Sequence, residues 1–189
     1  MSKTRQATKV MVIRHAEKPL DPPPYGIAED GSRDKECLTV RGWQRAGAFA
    51  CYFAPSEGSL QNSALAKPQF LYASKPIKRR GSQRSIQTIT PLAEKLGIKI
   101  TTKYSRDEGK EMLEDALSCE GVVLISWQHE YIPAIANHIL GDTTTAPQSW
   151  PEGRYDVVWV FDLDAESGQY DFLEVPQCLL SGDAATPIK

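Results

Sequence analysis

Three short apolar segments, each followed directly by basic or titratable residues, limit most strongly what this chain can fold into. They are Val10–Ile13, Gln69–Ser74 and Gly121–Trp127. Short apolar runs of this kind are typical of strands that are buried on both faces of a sheet. Charged side chains that follow such strands lie at the edge where open α/β sheets bind ligands. On residues 14–18 alone, a strand that simply ends in a solvated polar loop is an equally good interpretation.

Helical patterns separate the apolar segments. Leu38–Phe53, Ser85–Leu96, Asp107–Cys119 and Ile132–Leu140 have the three- and four-residue hydrophobic spacing of helices, and Thr39 is a good N-cap. Residues 98–104 read as a further strand, and 155–162 and 170–175 as a hairpin. The alternation predicts an α/β fold, a three-layer α/β/α sandwich with a mainly parallel central sheet. We expect residues 1–189 to form a single domain with its core at about 9–175 and loose tails outside it.

Two local features carry further expectations. The segment Pro19–Lys35 is rich in Pro, Gly and Asp and leaves directly from the first apolar run, so we predict a covering loop. Gly42 and Gly47 lie inside a helical pattern that they weaken, which suggests close packing against a neighbour.

Composition excludes several classes of protein. The chain has 189 residues and a formal net charge of −2, which gives no support to nucleic-acid binding through bulk charge. No apolar stretch approaches the roughly 20 residues that span a bilayer, and the first residues lack the apolar region of a secretory signal. The four cysteines are scattered, which is typical of reduced thiols. We therefore expect a cytoplasmic protein without nucleic-acid or membrane partners.

The carboxyl ends of parallel strands meet at one edge of a sheet, so residues far apart in sequence can share one site there. Arg14, His15, Arg84 and His129 all follow predicted strands. Two histidines and two arginines would form a cationic pocket for a phosphoryl group, to which the helix after His129 would add its N-terminal dipole.

These residues resemble the motifs of the histidine phosphatase superfamily, which has the phosphoglycerate mutase-like fold. Residues 14–17, RHAE, resemble its RHG motif with alanine for glycine. Residues 38–46, LTVRGWQRA, resemble its LTxxGxxQA helix, with Arg45 in place of glutamine. Residues 84–88, RSIQT, match its RxxQT segment, and His129 stands where the second histidine is found. The chain departs from the family in the inserted segment 75–83 and in Glu130, which follows the second histidine.

The resemblance implies a metal-independent phosphatase without a cofactor. His15 would attack phosphorus and form a phosphohistidine, while Arg14, Arg84 and His129 would bind the phosphoryl oxygens. Glu130 is the first candidate for the acid that protonates the leaving oxygen, and Glu108 is the alternative. The substrate would be a phosphomonoester or phosphoramidate, either a small phosphorylated molecule or a phosphoprotein.

Other interpretations stay open at this stage. The chain could be a phospho-ligand binding module with little turnover, or a metal-dependent hydrolase with His15, Glu17 and His129 as ligands. Glu17 is better explained as a neutralising partner of nearby arginines. The basic segment Lys75–Arg80 is either a solvated loop or a contact for an anionic part of the substrate.

Overall fold

One sheet of six strands forms the centre of the computed structural model, which describes residues 6–20, 23–77 and 81–188. The strands are β1 (Lys9–Arg14), β2 (Phe70–Ala73), β3 (Ile100–Thr101), β4 (Val122–Trp127), β5 (Val157–Leu163) and β6 (Tyr170–Pro176). The helices are α1 (Val40–Tyr52), α2 (Arg84–Leu96), α3 (Gly109–Leu117) and α4 (Ile132–Leu140). None of these four helices is long and apolar enough to cross a membrane.

The strand order is β3-β2-β4-β1-β5-β6. The first four strands in this order run parallel, whereas β5 is antiparallel to β1 and to β6. β1 and β4 lie side by side at the centre, in a register that pairs Arg14 with Trp127. The carboxyl ends of the two most apolar strands, and the residues that follow them, therefore lie together.

Helices cover both faces of the sheet. Along β1, Val10 and Val12 belong to the core beneath α3 and α4, whereas Met11 and Ile13 belong to the core beneath α1 and α2. This alternation has the two-residue period of a strand, and all four side chains are fully buried. The predicted three-layer α/β/α sandwich with a mainly parallel sheet is confirmed.

Local signals mark three of the helix ends, whereas α3 (Gly109–Leu117) is two residues shorter at each end than the predicted Asp107–Cys119. The Thr39 hydroxyl accepts a hydrogen bond from the Gly42 N–H at 3.1 Å and caps α1. Gly97 and Gly141 end α2 and α4 in the left-handed conformation, with φ of 65° and 74°. The edge strand β3 has two residues instead of the seven predicted, since it pairs with β2 alone.

Of the two glycines in α1 predicted to pack closely against a neighbour, Gly42 does so and Gly47 does not. A Cβ on Gly42 would lie 2.7 Å from the carbonyl oxygen of Glu17, a distance that real Cβ atoms essentially never show. A Cβ on Gly47 would meet nothing within 4 Å. Gly42 therefore lets α1 pack directly against the backbone that follows His15.

The prediction of a core at 9–175 with loose tails is wrong for the described residues. Ala7 is fully buried, and its N–H bonds to the Leu117 carbonyl at 2.9 Å. Ile188 is 3% exposed, joins the same core cluster as Ala7, and donates its N–H to the Glu174 carboxylate at 2.8 Å. These contacts join residues distant in sequence, which local patterns do not reveal.

Candidate active site

The carboxyl end of the parallel strands opens into a cleft of about 360 Å³. Four of the predicted site residues line this cleft together: His15, Arg84, His129 and Glu130. A larger hollow of about 590 Å³ lies beside it and shares Lys18 with it. That hollow contains none of the four predicted residues, so the smaller cleft is the candidate site.

His15 follows β1 directly and is 3% exposed. Its N–H bonds to the Trp127 carbonyl at 3.0 Å, and its Nδ1 lies 2.8 Å from the Ala16 carbonyl oxygen. Since a carbonyl oxygen only accepts, Nδ1 carries the ring proton and Nε2 keeps its lone pair. Burial lowers the pKa of His15 to about 3, and the positive charge of Arg84 and Arg14 acts in the same direction. His15 is therefore neutral near pH 7, as a nucleophile must be.

Arg84 begins α2 and extends from the opposite wall. Its Nη1 donates to the Lys35 carbonyl at 3.0 Å, while its buried Nε has no hydrogen-bond partner among the described residues. Glu36, which directly follows the predicted covering loop Pro19–Lys35, lines the cleft, and its backbone carbonyl accepts a hydrogen bond from the Gln83 N–H at 2.9 Å. The end of the predicted covering loop therefore reaches the site. Burial lowers the pKa of Arg84.

Arg14 is the one predicted catalytic residue that the structure does not place on the wall of the cleft. Its guanidinium is fully buried and donates to the carbonyls of Pro151, Glu152 and Arg154, and to the Tyr155 hydroxyl at 3.2 Å. It also lies over the Tyr155 ring, 4.0 Å from the ring centroid. Its Nε is buried and has no partner in the described part of the chain, so this is the donor left for a ligand.

His129 and Glu130 follow β4. The Nδ1 of His129 lies 3.0 Å from the Glu130 Oε2, although the direction of this contact is not that of a hydrogen bond. Burial lowers the pKa of His129, and the charge of Arg14 adds to this effect. The Glu130 side chain is 60% exposed, so its carboxylate can exchange protons with solvent while it lies beside the cleft.

Glu108, the alternative acid, is held elsewhere. Its Oε2 accepts hydrogen bonds from the N–H and the hydroxyl of Ser105, both at 2.7 Å, and lies 3.7 Å from the Lys75 ammonium group. The hydrogen bonds from Ser105 lower the pKa of Glu108, which stabilises the ionised form. Glu108 is not among the residues that line the cleft, whereas Lys75 is. Lys78, Arg79 and Arg80 of the predicted basic segment lie outside the described residues.

Glu17 forms ion pairs with two arginines, as expected for a residue that neutralises nearby positive charge. Its Oε1 lies 2.8 Å from Arg45 Nη2 and 3.2 Å from Arg41 Nε. Glu17 lines the larger hollow and not the cleft of His15. The trio His15, Glu17 and His129 is thus not assembled, and the described residues contain no group of three His, Cys, Asp or Glu placed to hold a metal ion.

The sequence did not point to two uncharged polar residues of the cleft, Ser82 and Gln128, nor to the charged Glu36 and Arg106. Gln128 stands between β4 and His129, so the rule that drew attention to His129 also applies to it. Ser82 lies in the inserted segment that departs from the family motifs, and no pattern marks it.

The fold is the phosphoglycerate mutase-like fold. No protein-family model and no curated protein matches the sequence. Several solved structures align with most of this chain. A protein from Agrobacterium tumefaciens assigned as the phosphohistidine phosphatase SixA is 18% identical, with a TM-score of 0.52 over 88% of this chain and 97% of that one.

Two further solved structures also align with most of the chain at low sequence identity. The protein histidine phosphatase SixA, in a complex with tungstate, is 14% identical, with a TM-score of 0.50 over 90% of this chain and 97% of that one. A mycobacterial glucosyl-3-phosphoglycerate phosphatase is 13% identical, with a TM-score of 0.53 over 88% of this chain and 97% of that one. At these identities the likeness establishes the fold.

Proposed function

We propose that this protein is a metal-independent phosphatase that works through a phosphohistidine on His15. The observation that carries the proposal is a neutral, buried His15 with its Nε2 lone pair free, in one cleft with Arg84 and His129. Structural neighbours that are phosphatases, one of them bound to the oxyanion tungstate, support the same reaction class.

The first step transfers the phosphoryl group to the enzyme. Nε2 of His15 attacks phosphorus as the bond from phosphorus to the leaving oxygen breaks, and Glu130 gives its proton to that oxygen. Arg84 and His129 would bind the phosphoryl oxygens, and Arg14 would contribute its free Nε and its positive charge. Water then attacks the phosphohistidine, His15 leaves, and Glu130 recovers a proton from the water.

The size and charge of the cleft bear on the class of substrate. Its volume of about 360 Å³ and its cationic wall suit a phosphomonoester or phosphoramidate, carried by a small molecule or by an exposed side chain of a phosphoprotein.

All four cysteines are unpaired, which supports the proposed cytoplasmic location.

Hydrolysis of 4-nitrophenyl phosphate tests the proposal. We expect turnover that persists in EDTA and falls at least about 1,000-fold in His15→Gln. Cys51→Ala is the matched control, because Cys51 is exposed and lies on the far part of α1. Activity that EDTA abolishes would favour a metal-dependent hydrolase. Binding of tungstate without any turnover would favour a binding module.

A further inference from the structure

Besides the ring nitrogens of its two histidines, the cleft has one buried amide oxygen, which lies among buried donors. Ser82 Oγ, Arg84 Nε and Gln128 Oε1 are all buried, and none has a hydrogen-bond partner within the described residues. The arginine nitrogen can only donate and the serine hydroxyl can donate, whereas the amide oxygen can only accept. Because native proteins leave few buried polar atoms unpaired, a water or a ligand bound in the cleft is the expected partner of these atoms.

The amide of Gln128 is fixed by two serines. Its Nε2 donates to the Ser74 hydroxyl at 2.7 Å and to the Ser85 hydroxyl at 3.4 Å. Both serines are 1% exposed; Ser74 follows β2 and Ser85 lies in the first turn of α2. Contacts with two other elements, β2 and α2, therefore hold the side chain, and the carbonyl end of the amide is the end without a partner.

A phosphoryl group satisfies the donors of the cleft but not this acceptor. Its oxygens are negatively charged and would be repelled by the oxygen of a carboxamide. Gln128 Oε1 needs a hydrogen-bond donor, such as an O–H group. A water molecule that attacks the phosphohistidine supplies one.

We propose that Gln128 is a further catalytic residue, which accepts a hydrogen bond from the attacking water and orients it toward phosphorus. This inference rests on the proposed phosphohistidine mechanism. One hydrogen of the water bonds to Gln128 Oε1 and the other passes to the Glu130 carboxylate. The oxygen–phosphorus bond forms as the bond from phosphorus to Nε2 of His15 breaks, which yields inorganic phosphate, neutral His15 and protonated Glu130.

The two steps of the reaction should depend on Gln128 to different extents. In the first step the leaving oxygen of the ester occupies the place of the water, and it has no hydrogen to offer until Glu130 has protonated it. In the second step the water has a hydrogen from the start. Loss of the amide should therefore slow the breakdown of the phosphoenzyme and leave its formation nearly unchanged.

Rapid-quench kinetics on Gln128→Met tests this. With 4-nitrophenyl phosphate, the burst of nitrophenol reports formation of the phosphoenzyme, and the steady state reports its breakdown. We expect breakdown to slow by about 10- to 100-fold, the effect of one hydrogen bond to a developing charge, and formation to change less than about 3-fold. Phosphoenzyme should then accumulate. Gln61→Met, an exposed position on another face, should keep both wild-type rates.

The shorter Gln128→Asn provides a second measurement should the methionine variant fail to fold, as judged by its thermal melting. The asparagine side chain is one methylene shorter, so its carbonyl lies farther from the attacking water. This variant should also slow the breakdown of the phosphoenzyme more than its formation. Equal slowing of both steps, or unchanged breakdown, overturns the role of Gln128 while the mechanism on His15 stands. Failure of the wild-type enzyme to form any phosphoenzyme overturns the proposed function, and with it this inference.

Discussion

Arg45 and Asp183 form a buried ion pair, in which Nη2 lies 2.7 Å from Oδ1 and the side chains are 2% and 3% exposed. Arg45 stands where the resembled family has glutamine, and Asp183 belongs to the segment predicted to be a loose tail. Burial alone would raise the pKa of Asp183, but hydrogen bonds from Arg45 lower it to about 2. The pair thus fixes the C-terminal segment against α1.

Asp183→Asn should destabilise the protein by about 1–3 kcal/mol, because it removes one of the two carboxylates that compensate the buried Arg45 guanidinium while Glu17 keeps its contact. Denaturant unfolding at pH 7 measures this. Asp171→Asn, at an exposed position of β6, is the control and should change the free energy of unfolding by less than about 0.5 kcal/mol. Equal effects of the two substitutions would show that the ion pair contributes little.

Gly42→Ala and Gly47→Ala should have opposite effects, although both add one methyl group to α1. The first methyl would collide with the Glu17 backbone and displace the turn that follows His15, at a cost of about 1–3 kcal/mol in stability. The second meets open space and should stabilise the helix by up to about 1 kcal/mol. Thermal unfolding of the two variants gives the comparison, and a stabilised Gly42→Ala would contradict the packing described.

Local patterns predicted most of this architecture because helix caps, hydrophobic periods and strand ends are local features. The principle that the carboxyl ends of parallel strands meet at one edge of the sheet also predicted that His15, Arg84, His129 and Glu130 lie together. What it could not give are contacts that depend on the tertiary course of the chain. The hydrogen bonds of Arg14 to the loop 151–155 and the pair of Arg45 with Asp183 each join residues more than about 130 positions apart.

Acidification should destabilise the protein through His15. Its pKa is about 3 in the folded protein and 6.5 in the reference state, so between these values the unfolded chain binds one more proton. The free energy of unfolding therefore falls as pH decreases through this window, by at most about 1.4 kcal/mol per pH unit from this group. Denaturant unfolding of wild type and His15→Gln from pH 7 to pH 4 gives the free energy of unfolding of each protein. As the pH falls, the wild type should lose more stability than the variant. Parallel curves would contradict a buried, neutral His15.

Glu130→Gln should affect turnover according to the leaving group. An alkyl phosphate needs a proton on its leaving oxygen, so its kcat should fall by about 100- to 10,000-fold, whereas a dinitrophenyl phosphate should lose much less. Glu108→Gln should stay within about 3-fold of wild type on both substrates, because Glu108 is bonded to Ser105 and lies outside the cleft. A larger loss in Glu108→Gln than in Glu130→Gln would reverse the assignment of the acid.

Trapping the phosphoenzyme tests the central claim most directly. Wild-type protein mixed with 4-nitrophenyl phosphate and quenched in alkali, where phosphohistidine survives, should carry one phosphoryl group that mass spectrometry places on His15 and that acid removes. His15→Gln should carry none, whereas Cys51→Ala should match wild type. A phosphoryl group on another residue, or turnover by the wild type without any phosphorylated His15, would contradict the account.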